Sequence, residues 1–300
     1  MKLAVYDDFQ LGVVEGTAGD TIVRPITHLV PAAFDLMPAA RLNWVAAHWS
    51  EVGTVIAAVV ATSKVASLPL ADVRLRASSP GPAHVFALPG NYREHLGEIG
   101  NLTVSGKRTA NEMGFFLKAP GSLVGAGDEI ALPQDCERRF DHECELAAVI
   151  GARASDVPAD RAHEHVCGYT CAVDVTMRSA PGHREEDRSM RKSFATFTPL
   201  GPYLVTADEV GDPHELNSRL SVNGDVRQSA QTRSMIVNVW QAIEIISSVV
   251  ALEPGDVILT GTPSGVGPLA IGDEVEICIS RIGSMTLPVI ERAAPSPRTF

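Results

Sequence analysis

The sequence has few basic residues, few cysteines and no long apolar run, and each shortage excludes a class of protein. It carries 25 lysines and arginines against 36 aspartates and glutamates, which gives a formal net charge of −11. We therefore expect no basic stripe that would hold nucleic acid or an anionic membrane surface. The longest apolar stretch, residues 52–61, is shorter than the roughly 20 residues that a membrane-spanning helix needs.

The five cysteines are an odd number in a chain whose first residues, 1–8, turn acidic and do not have the pattern of a secretory signal. Cys167 and Cys171 are closely spaced, but a zinc site needs a second matched pair, which the sequence lacks. We therefore expect reduced thiols and a cytoplasmic location.

The composition that remains is that of a globular enzyme of 300 residues, with 45% hydrophobic and 20% charged residues. Residues 1–76 combine short strand-like pieces with a helical stretch over residues 36–61, and they predict a small N-terminal α/β domain. Small residues and prolines at 77–82 predict a linker. In the second predicted domain, residues 77–300, short apolar strands alternate with glycine and proline turns. This pattern predicts a β-rich α+β fold, built as a rolled sandwich or a distorted barrel.

Three local patterns place individual elements in the second domain. Asn223-Gly224 between two strand-like runs predicts a tight hairpin, because both residues tolerate a positive φ. Apolar residues at three- and four-residue spacing predict a helix over residues 234–250. A shorter helix is predicted over residues 159–166, ending before Gly168.

Three carboxylates are the strongest chemical signal. Glu143 and Glu145 alternate on a predicted strand, so they should share one face, with Cys144 pointing into the core. Asp174 lies in a second predicted strand, residues 169–175. Acids beside an apolar core repel one another and lose hydration, so they need a cation, and three oxygen ligands suit Mg²⁺, Mn²⁺ or Ca²⁺. A solvated strand face without a metal is the alternative.

A histidine and a glutamate form a second candidate group. His95 and Glu98 are three residues apart in a polar segment that follows an apolar strand. One helical turn would place them on the same face, where the carboxylate raises the basicity of the imidazole, as a general base requires. An incidental pair on an exposed helix has the same spacing and is the alternative.

Two basic residues and a glycine-rich loop complete the candidate set. Lys192 is either solvated or, beside a metal, able to stabilise an oxyanion. Arg178 is suited to a bidentate contact with a substrate carboxylate, or to a salt bridge with a structural one. Residues 259–267 lack the lysine of a phosphate loop and the residue order of a nucleophile elbow. The amides of this loop and the Thr262 hydroxyl are instead suited to holding a carboxylate.

Taken together, ordered motifs between residues 85 and 290 resemble the fumarylacetoacetate hydrolase superfamily, in particular its branch of acylpyruvases and 2-oxohept-3-ene-dioate isomerases. Each motif alone is short, whereas the ordered set is specific. The main matching segments are Asn91-Tyr92-x-x-His95-x-x-Glu98, Phe116-Leu117-Lys118, Asp141-His142-Glu143-x-Glu145, Asp174-Val175-Thr176, Lys192-Ser193-Phe194, Val222-Asn223-Gly224 and Leu259-Thr260-Gly261-Thr262-Pro263.

The resemblance implies a mixed β-sandwich roll as the catalytic domain, often in a homodimer, with Mg²⁺ or Mn²⁺ as the cofactor. It implies that Glu143, Glu145 and Asp174 are the metal ligands. It gives His95 and Glu98 the role of a water-activating dyad on a lid segment. Lys192 becomes the oxyanion stabiliser, and the implied substrate contacts are Tyr92, Arg178, Gly261 and Thr262.

The substrates implied by the resemblance are small 2-oxo and β-diketo acids, such as acylpyruvates and products of aromatic ring cleavage. The implied reaction is hydrolysis of a carbon–carbon bond. One alternative is a decarboxylase, hydratase or isomerase acting on oxaloacetate or 2-hydroxymuconate-type substrates; the other is a non-catalytic binding protein. Relatives carry Arg-Asp-x-Gln where this chain has Arg178-Ser179-Ala180-Pro181, so we expect the substrate pocket to differ there.

Overall fold

Short strands dominate the fold, as the turn-rich sequence predicts. The computed structural model describes residues 1–16, 20–62, 66–99, 107–134, 136–179 and 188–293. The strands in this part of the chain are β1 (Lys2–Tyr6), β2 (Gln10–Glu15), β3 (Ile22–Pro25), β4 (Leu68–Pro69), β5 (Val85–Ala87), β6 (Phe116–Lys118), β7 (Leu123–Val124), β8 (Ile130–Leu132), β9 (Phe140–His142), β10 (Cys144–Ile150), β11 (Val166–Val173), β12 (Thr176–Met177), β13 (Thr198–Thr206), β14 (Asn217–Val222), β15 (Asp225–Gln231), β16 (Val257–Leu259), β17 (Gly267–Pro268), β18 (Glu274–Ile279) and β19 (Gly283–Glu291).

The helices are few and short. The α-helices are α1 (Arg41–Ala47), α2 (Trp49–Ala61), α3 (Arg93–Ile99), α4 (Ala110–Met113), α5 (Arg188–Arg191), α6 (Ala207–Val210) and α7 (Val239–Ser247). Single 3-10 turns occupy Thr27–Leu29, Ala32–Leu36, Pro38–Ala40, Leu70–Asp72, Pro120–Ser122, Ala162–His165, Pro213–Glu215 and Thr232–Ser234.

Three sheets organise the strands. The largest runs in the order β4-β3-β2-β1-β13-β11-β10-β16-β5-β6, with β7 beside β13. A five-stranded sheet has the order β15-β14-β18-β19-β8, and a three-stranded sheet has the order β12-β9-β17. Parallel pairs are confined to β16 with β5, β13 with β7 and β19 with β8 within the described strands. This arrangement confirms the predicted β-rich α+β fold.

Both faces of the large sheet are covered. On one face β10, β11 and β13 pack against the five-stranded sheet, and Leu146, Tyr169 and Ile277 contribute to that core. On the other face Leu42 of α1 and Ile56 of α2 belong to a second core. Because each face has a core, β10 is buried along its whole length and its sequence is a nearly continuous apolar run.

The N-terminal strands continue the large sheet, because β1 pairs antiparallel with β13. The segment 77–82, which the sequence predicts as a linker, packs into the fold at two fully buried serines. Ser78 Oγ donates a hydrogen bond to Thr170 Oγ1 at 2.9 Å, and Ser79 Oγ donates to the Gly255 carbonyl at 2.8 Å. The division of the chain into two domains stays a prediction.

Of two small elements predicted from local sequence, the hairpin at Asn223-Gly224 is correct and the helix over residues 159–166 is not. Asn223 (φ 54°) and Gly224 (φ 83°) join β14 to β15, which confirms the hairpin. The helix predicted over residues 159–166 is wrong, since a 3-10 turn occupies only Ala162–His165. The β-branched Val166 already joins the sheet beside β10.

The long helix of the second domain is shorter than the sequence predicts over residues 234–250, because α7 begins at Val239. Asn238 explains where it begins. Its side chain accepts the Gln241 N–H at 2.9 Å, and the Gln241 side chain accepts the Asn238 N–H at 2.9 Å. This capping box sets the first turn, and the apolar residues before it lie outside the helix.

No single helix within the described residues is long and apolar enough to cross a membrane. One pair of helical segments, Pro38–Ala47 and Trp49–Ala61, passes the same length and composition test together but is bent by 105°. Leu42 and Ile56 of this pair are buried in the core beside the large sheet.

We predict that Asn238→Ala lowers the free energy of unfolding by about 1 kcal/mol, because the N-terminus of α7 loses its side-chain acceptor. Asn238→Asp keeps an acceptor at the same position and should match the wild type. Urea denaturation followed by circular dichroism measures both values. Equal losses in the two variants would show that the cap does not determine the stability of this helix.

Candidate metal centre

Three buried carboxylates meet where β9, β10 and β11 end or begin. One oxygen from each of Glu143, Glu145 and Asp174 lies within 4.8 Å of the others. Glu145 belongs to β10, but Glu143 lies in the break between β9 and β10, and Asp174 follows the end of β11. The prediction that all three lie within strands is therefore wrong. The break occurs where the Cys144 N–H donates to the side chain of Gln228 at 2.9 Å.

Two buried lysines offset the charge of this cluster. Lys192 Nζ donates to Glu143 Oε2 at 2.7 Å and to Asp174 Oδ2 at 2.5 Å. Lys118 Nζ donates to Asp174 Oδ1 and, at 2.9 Å, to the carbonyl of Phe197. No role for Lys118 is predicted from the sequence, although a lysine that ends the apolar strand β6 is a signal for a buried charge. The solvated alternative for Lys192 does not hold.

Arg178 contacts carboxylates of the protein itself. Its Nε donates to Asp141 Oδ2 at 2.7 Å. Its Nη2 forms an ion pair with Glu143 Oε1 at 2.8 Å. This is the salt-bridge alternative, and a contact with substrate stays a prediction. The altered segment that follows, residues 180–183, lies outside the described residues.

Burial and neighbouring charge act differently on the carboxylates. Burial opposes ionisation of Glu143, but the surrounding cations, Lys192 foremost, hold the pKa of that carboxyl below its usual range. Burial, reinforced by the charge of Asp174, raises the pKa of Glu145 well above its ordinary value. Glu145 accepts the Gly261 N–H at 2.6 Å. Within the described part of the chain, no lysine or arginine forms an ion pair with it.

This donor set fits a divalent cation. Carboxylate oxygens are the hard ligands that Mg²⁺ and Mn²⁺ prefer. The lysines pair with Glu143 and Asp174, so Glu145 is the carboxylate whose charge lacks compensation. A bound cation would stabilise the ionised form of Glu145 and so lower the pKa that burial raises.

His95 and Glu98 lie on α3 beside the cluster. Nδ1 of the buried His95 lies 3.4 Å from Glu98 Oε2, which leaves Nε2 as the basic nitrogen. Burial lowers the pKa of His95 more than the negative charge of Glu143 raises it, so the imidazole is neutral near pH 7. Glu98 also accepts the Gly265 N–H, with its two oxygens at 3.1 and 3.2 Å. The helix is thereby tied to the loop after β16.

That loop contributes the remaining polar groups. Gly261 has a φ of 88°, and a Cβ there would lie 2.6 Å from the Cβ of Asn91, so only glycine fits. Its N–H donates to Glu145. The buried Thr262 follows, and its Oγ1 accepts a hydrogen bond from Gln228 Nε2 at 2.7 Å.

The structure brings the predicted site residues to one region, although their roles stay predictions. Tyr92 is buried, and burial, with the nearby Cys144 and Glu145, raises the pKa of its hydroxyl. Hydrogen bonds, ion pairs or electrostatic interactions within this region connect Tyr92, His95, Glu98, Glu143, Glu145, Asp174, Arg178, Lys192 and Gly261, with Thr262 next in sequence. Sequence reasoning missed Lys118 and Gln228.

The sequence was compared with protein-family models and with known proteins. A family model described as the C-terminal region of fumarylacetoacetate (FAA) hydrolase matches residues 84–290. The chain is 39% identical over 296 residues to a maleylpyruvate hydrolase of Aquipseudomonas alcaligenes, covering 96% of this chain and 99% of the relative.

Solved structures agree with that similarity. A maleylpyruvate hydrolase from Sphingobium sp. SYK-6, in complex with manganese(II) and pyruvate, superimposes with a TM-score of 0.82 at 35% identity. The superposition covers 97% of this chain and 99% of the other. A 5-carboxymethyl-2-hydroxymuconate delta-isomerase from Mycobacterium smegmatis has a TM-score of 0.73 at 32% identity, covering 97% of this chain and 100% of the other.

We predict that Mn²⁺ binding releases protons and weakens as the pH falls. Ligation requires ionised Glu145, whereas burial raises the pKa of this carboxyl, so binding must displace its proton. Isothermal titration calorimetry in two buffers of different ionisation enthalpy measures the release. Glu145→Gln should bind Mn²⁺ more weakly and release fewer protons. A wild-type binding heat that is the same in both buffers would contradict this coupling.

Proposed function

Because the chain belongs to the fumarylacetoacetate hydrolase family, we propose that its buried carboxylate centre serves hydrolysis of a carbon–carbon bond in an acylpyruvate such as maleylpyruvate. The enzyme is a divalent-metal-dependent hydrolase that acts on ketonic substrates. The observation that carries the proposal for its residues is a buried, neutral His95 paired with Glu98 beside three carboxylates.

Glu143, Glu145 and Asp174 are the proposed ligands of the ion, Mn²⁺ or Mg²⁺. When bound, the ion supplies a Lewis acid for the carboxylate and the adjacent oxo group of the substrate. Lys118 keeps Asp174 in place from the enclosed side, because its ammonium is fully buried and contacts only protein oxygens in the described structure. The proposed substrate contacts are Tyr92, Arg178, Gly261 and Thr262.

His95 is the proposed general base. With Nδ1 directed at Glu98, its Nε2 takes a proton from water, and the water oxygen adds to the distal carbonyl carbon of the substrate. The carbonyl oxygen gains negative charge in this step. Lys192 uses two ammonium hydrogens on Glu143 and Asp174, and the described residues offer no acceptor to the third, which we assign to that oxygen.

The carbon–carbon bond to the methylene group then breaks. Its electron pair stays on the pyruvate fragment, which leaves as an enolate and takes up a proton. The other fragment leaves as a carboxylic acid that carries the oxygen of the attacking water. Maleylpyruvate and water would thus give maleate and pyruvate, with no oxidant or reductant consumed.

An isomerase is the second candidate, because the Mycobacterium smegmatis isomerase shares the fold at 32% identity. Isomerisation needs proton transfer next to an oxo group but no attacking water. The pairing of His95 with Glu98 favours hydrolysis, since it leaves a basic nitrogen free to deprotonate water.

We also propose that the protein is a cytoplasmic homodimer. Support for the location comes from five cysteines that form no disulfide. Support for an interface comes from Leu36 and Met37, which are 89% and 62% exposed beside the N-terminal helices. Sedimentation velocity measures the mass in solution, and a monomer at micromolar concentration would contradict the dimer.

We predict that the purified protein releases pyruvate and one second acid from maleylpyruvate with Mn²⁺ or Mg²⁺, and that a chelator abolishes turnover. Asp174→Asn should lower kcat/KM on the order of a hundredfold or more, because a charged metal ligand is lost. Glu51→Gln removes an exposed carboxylate on α2 and is the matched control. Chromatographic product analysis includes oxaloacetate as a second substrate. Release of CO₂, or a product with no bond cleaved, would favour a decarboxylase or an isomerase.

We predict that His95→Gln lowers kcat by about 10²- to 10⁴-fold while the affinity for Mn²⁺ changes little. Because burial lowers the pKa of His95 below 6.5, kcat/KM measured at saturating Mn²⁺ should stay level down to that pH and fall only below it, as the imidazole gains a proton. His163→Gln, at an exposed histidine, is the control. Unchanged turnover in His95→Gln, or an acid limb above pH 6.5, would contradict the role of the dyad.

A further inference from the structure

Gln228 connects the break that carries Glu143 to the loop that carries Thr262. This side chain on β15 is 1% exposed. Its Oε1 accepts the Cys144 N–H at 2.9 Å, and its Nε2 donates to the Pro263 carbonyl at 2.9 Å. A backbone N–H can only donate and a carbonyl can only accept. These two bonds therefore fix which end of the amide is oxygen and which is nitrogen.

The fixed amide determines the hydrogen positions of two neighbours. His142 Nδ1 lies 3.1 Å from the same Oε1, so this ring nitrogen carries a hydrogen. Nε2 of Gln228 gives its second hydrogen to Thr262 Oγ1 at 2.7 Å. The hydroxyl of Thr262 accepts that bond and cannot also donate back along it. Its own hydrogen must point elsewhere, and the described residues offer it no acceptor.

We propose that Gln228 is a positioning residue: it occupies one lone pair of the Thr262 hydroxyl and so directs the hydroxyl hydrogen toward the substrate carboxylate. The inference rests on the proposed function, in which Thr262 contacts a 2-oxo acid. The Gly261 N–H donates to Glu145, which is a proposed metal ligand. Thr262 is the next residue in the loop.

A substrate carboxylate benefits from a Thr262 hydroxyl whose hydrogen is already turned away from Gln228. An anionic carboxylate accepts hydrogen bonds and cannot donate them, so it needs a donor at each contact. A threonine hydroxyl that is free to rotate would have to be turned when the substrate binds. With Gln228 in place the hydrogen cannot point toward that amide, so fewer orientations have to be reorganised when the substrate binds. The position therefore favours an acceptor atom on the ligand.

The test is a double-mutant cycle between Gln228→Glu and Thr262→Val. The glutamate keeps an acceptor for Cys144 but offers a second oxygen, to which the hydroxyl of Thr262 would turn. The readouts are the Kd of oxalate at saturating Mn²⁺, by calorimetry, and KM and kcat for maleylpyruvate. We expect Gln228→Glu to raise the Kd and KM about tenfold. The change in kcat should stay within about threefold.

A neutral variant separates orientation from charge repulsion. Gln228→Met adds no carboxylate and leaves the hydroxyl free to rotate, so we expect the oxalate Kd to rise about threefold. In the Thr262→Val background the same change should raise it by less than about twofold. The melting temperature of each variant is measured beside binding, because a purely structural role would lower stability and affinity equally in both backgrounds.

The outcomes distinguish this inference from the proposed function. Losses of oxalate affinity that are equal in both backgrounds, with Gln228→Met and Gln228→Glu alike, overturn the inference, since Gln228 would then act without Thr262. Losses that disappear when Thr262 is replaced support it. If those losses appear but no acylpyruvate is hydrolysed, the orienting role stands and the hydrolase proposal fails.

Discussion

The structure of the site depends on keeping three acidic side chains buried within reach of one another. Each carboxylate needs compensation, and the surrounding elements supply it unequally. Lys118, at the end of β6, donates to Asp174. Lys192, which follows α5, donates to both Asp174 and Glu143. Glu145 receives one backbone N–H, and burial raises its pKa. This inequality makes Glu145 the position at which a bound cation changes the electrostatics most.

Keeping these groups in place requires a rigid frame, and the large sheet provides it because both of its faces are packed. The Asp174 N–H donates to the Glu143 carbonyl at 2.9 Å and holds the two strand ends together. The helix that carries His95 is fixed at its start by Asn91, whose amide group bonds to main-chain groups of Val237 and Thr260. Its other end is fixed by the bond from the loop after β16 to Glu98. His95 and the carboxylates therefore share one framework.

The sequence predicts those parts of this arrangement that depend on local chemistry. Asn223-Gly224 determines its turn by its own conformational preferences, and alternating residues place Cys144 in the core away from Glu145. Contacts between residues far apart in the sequence cannot be predicted from such local preferences. Lys118 reaches Asp174 across 56 residues, and Gln228 reaches the main chain of Cys144 across 84. The strand ends at Glu143 and Asp174 follow from such contacts, so strand periodicity alone extends both strands too far.

Lys118 and Lys192 differ in burial and in the groups that they contact. Lys118 is fully buried and donates to Asp174 and to a main-chain carbonyl, so its charge can hold Asp174 in place but is closed off from a substrate. Lys192 is slightly more open, and its ammonium lies 5.4 Å from the centre of the Phe116 ring, with one hydrogen beyond those given to carboxylates. A cation that binds the carboxylates and also retains a free donor suits a reaction in which negative charge develops on an adjacent oxygen. In the proposed mechanism, the lysine that holds Asp174 and the lysine that meets the developing charge are therefore separate residues.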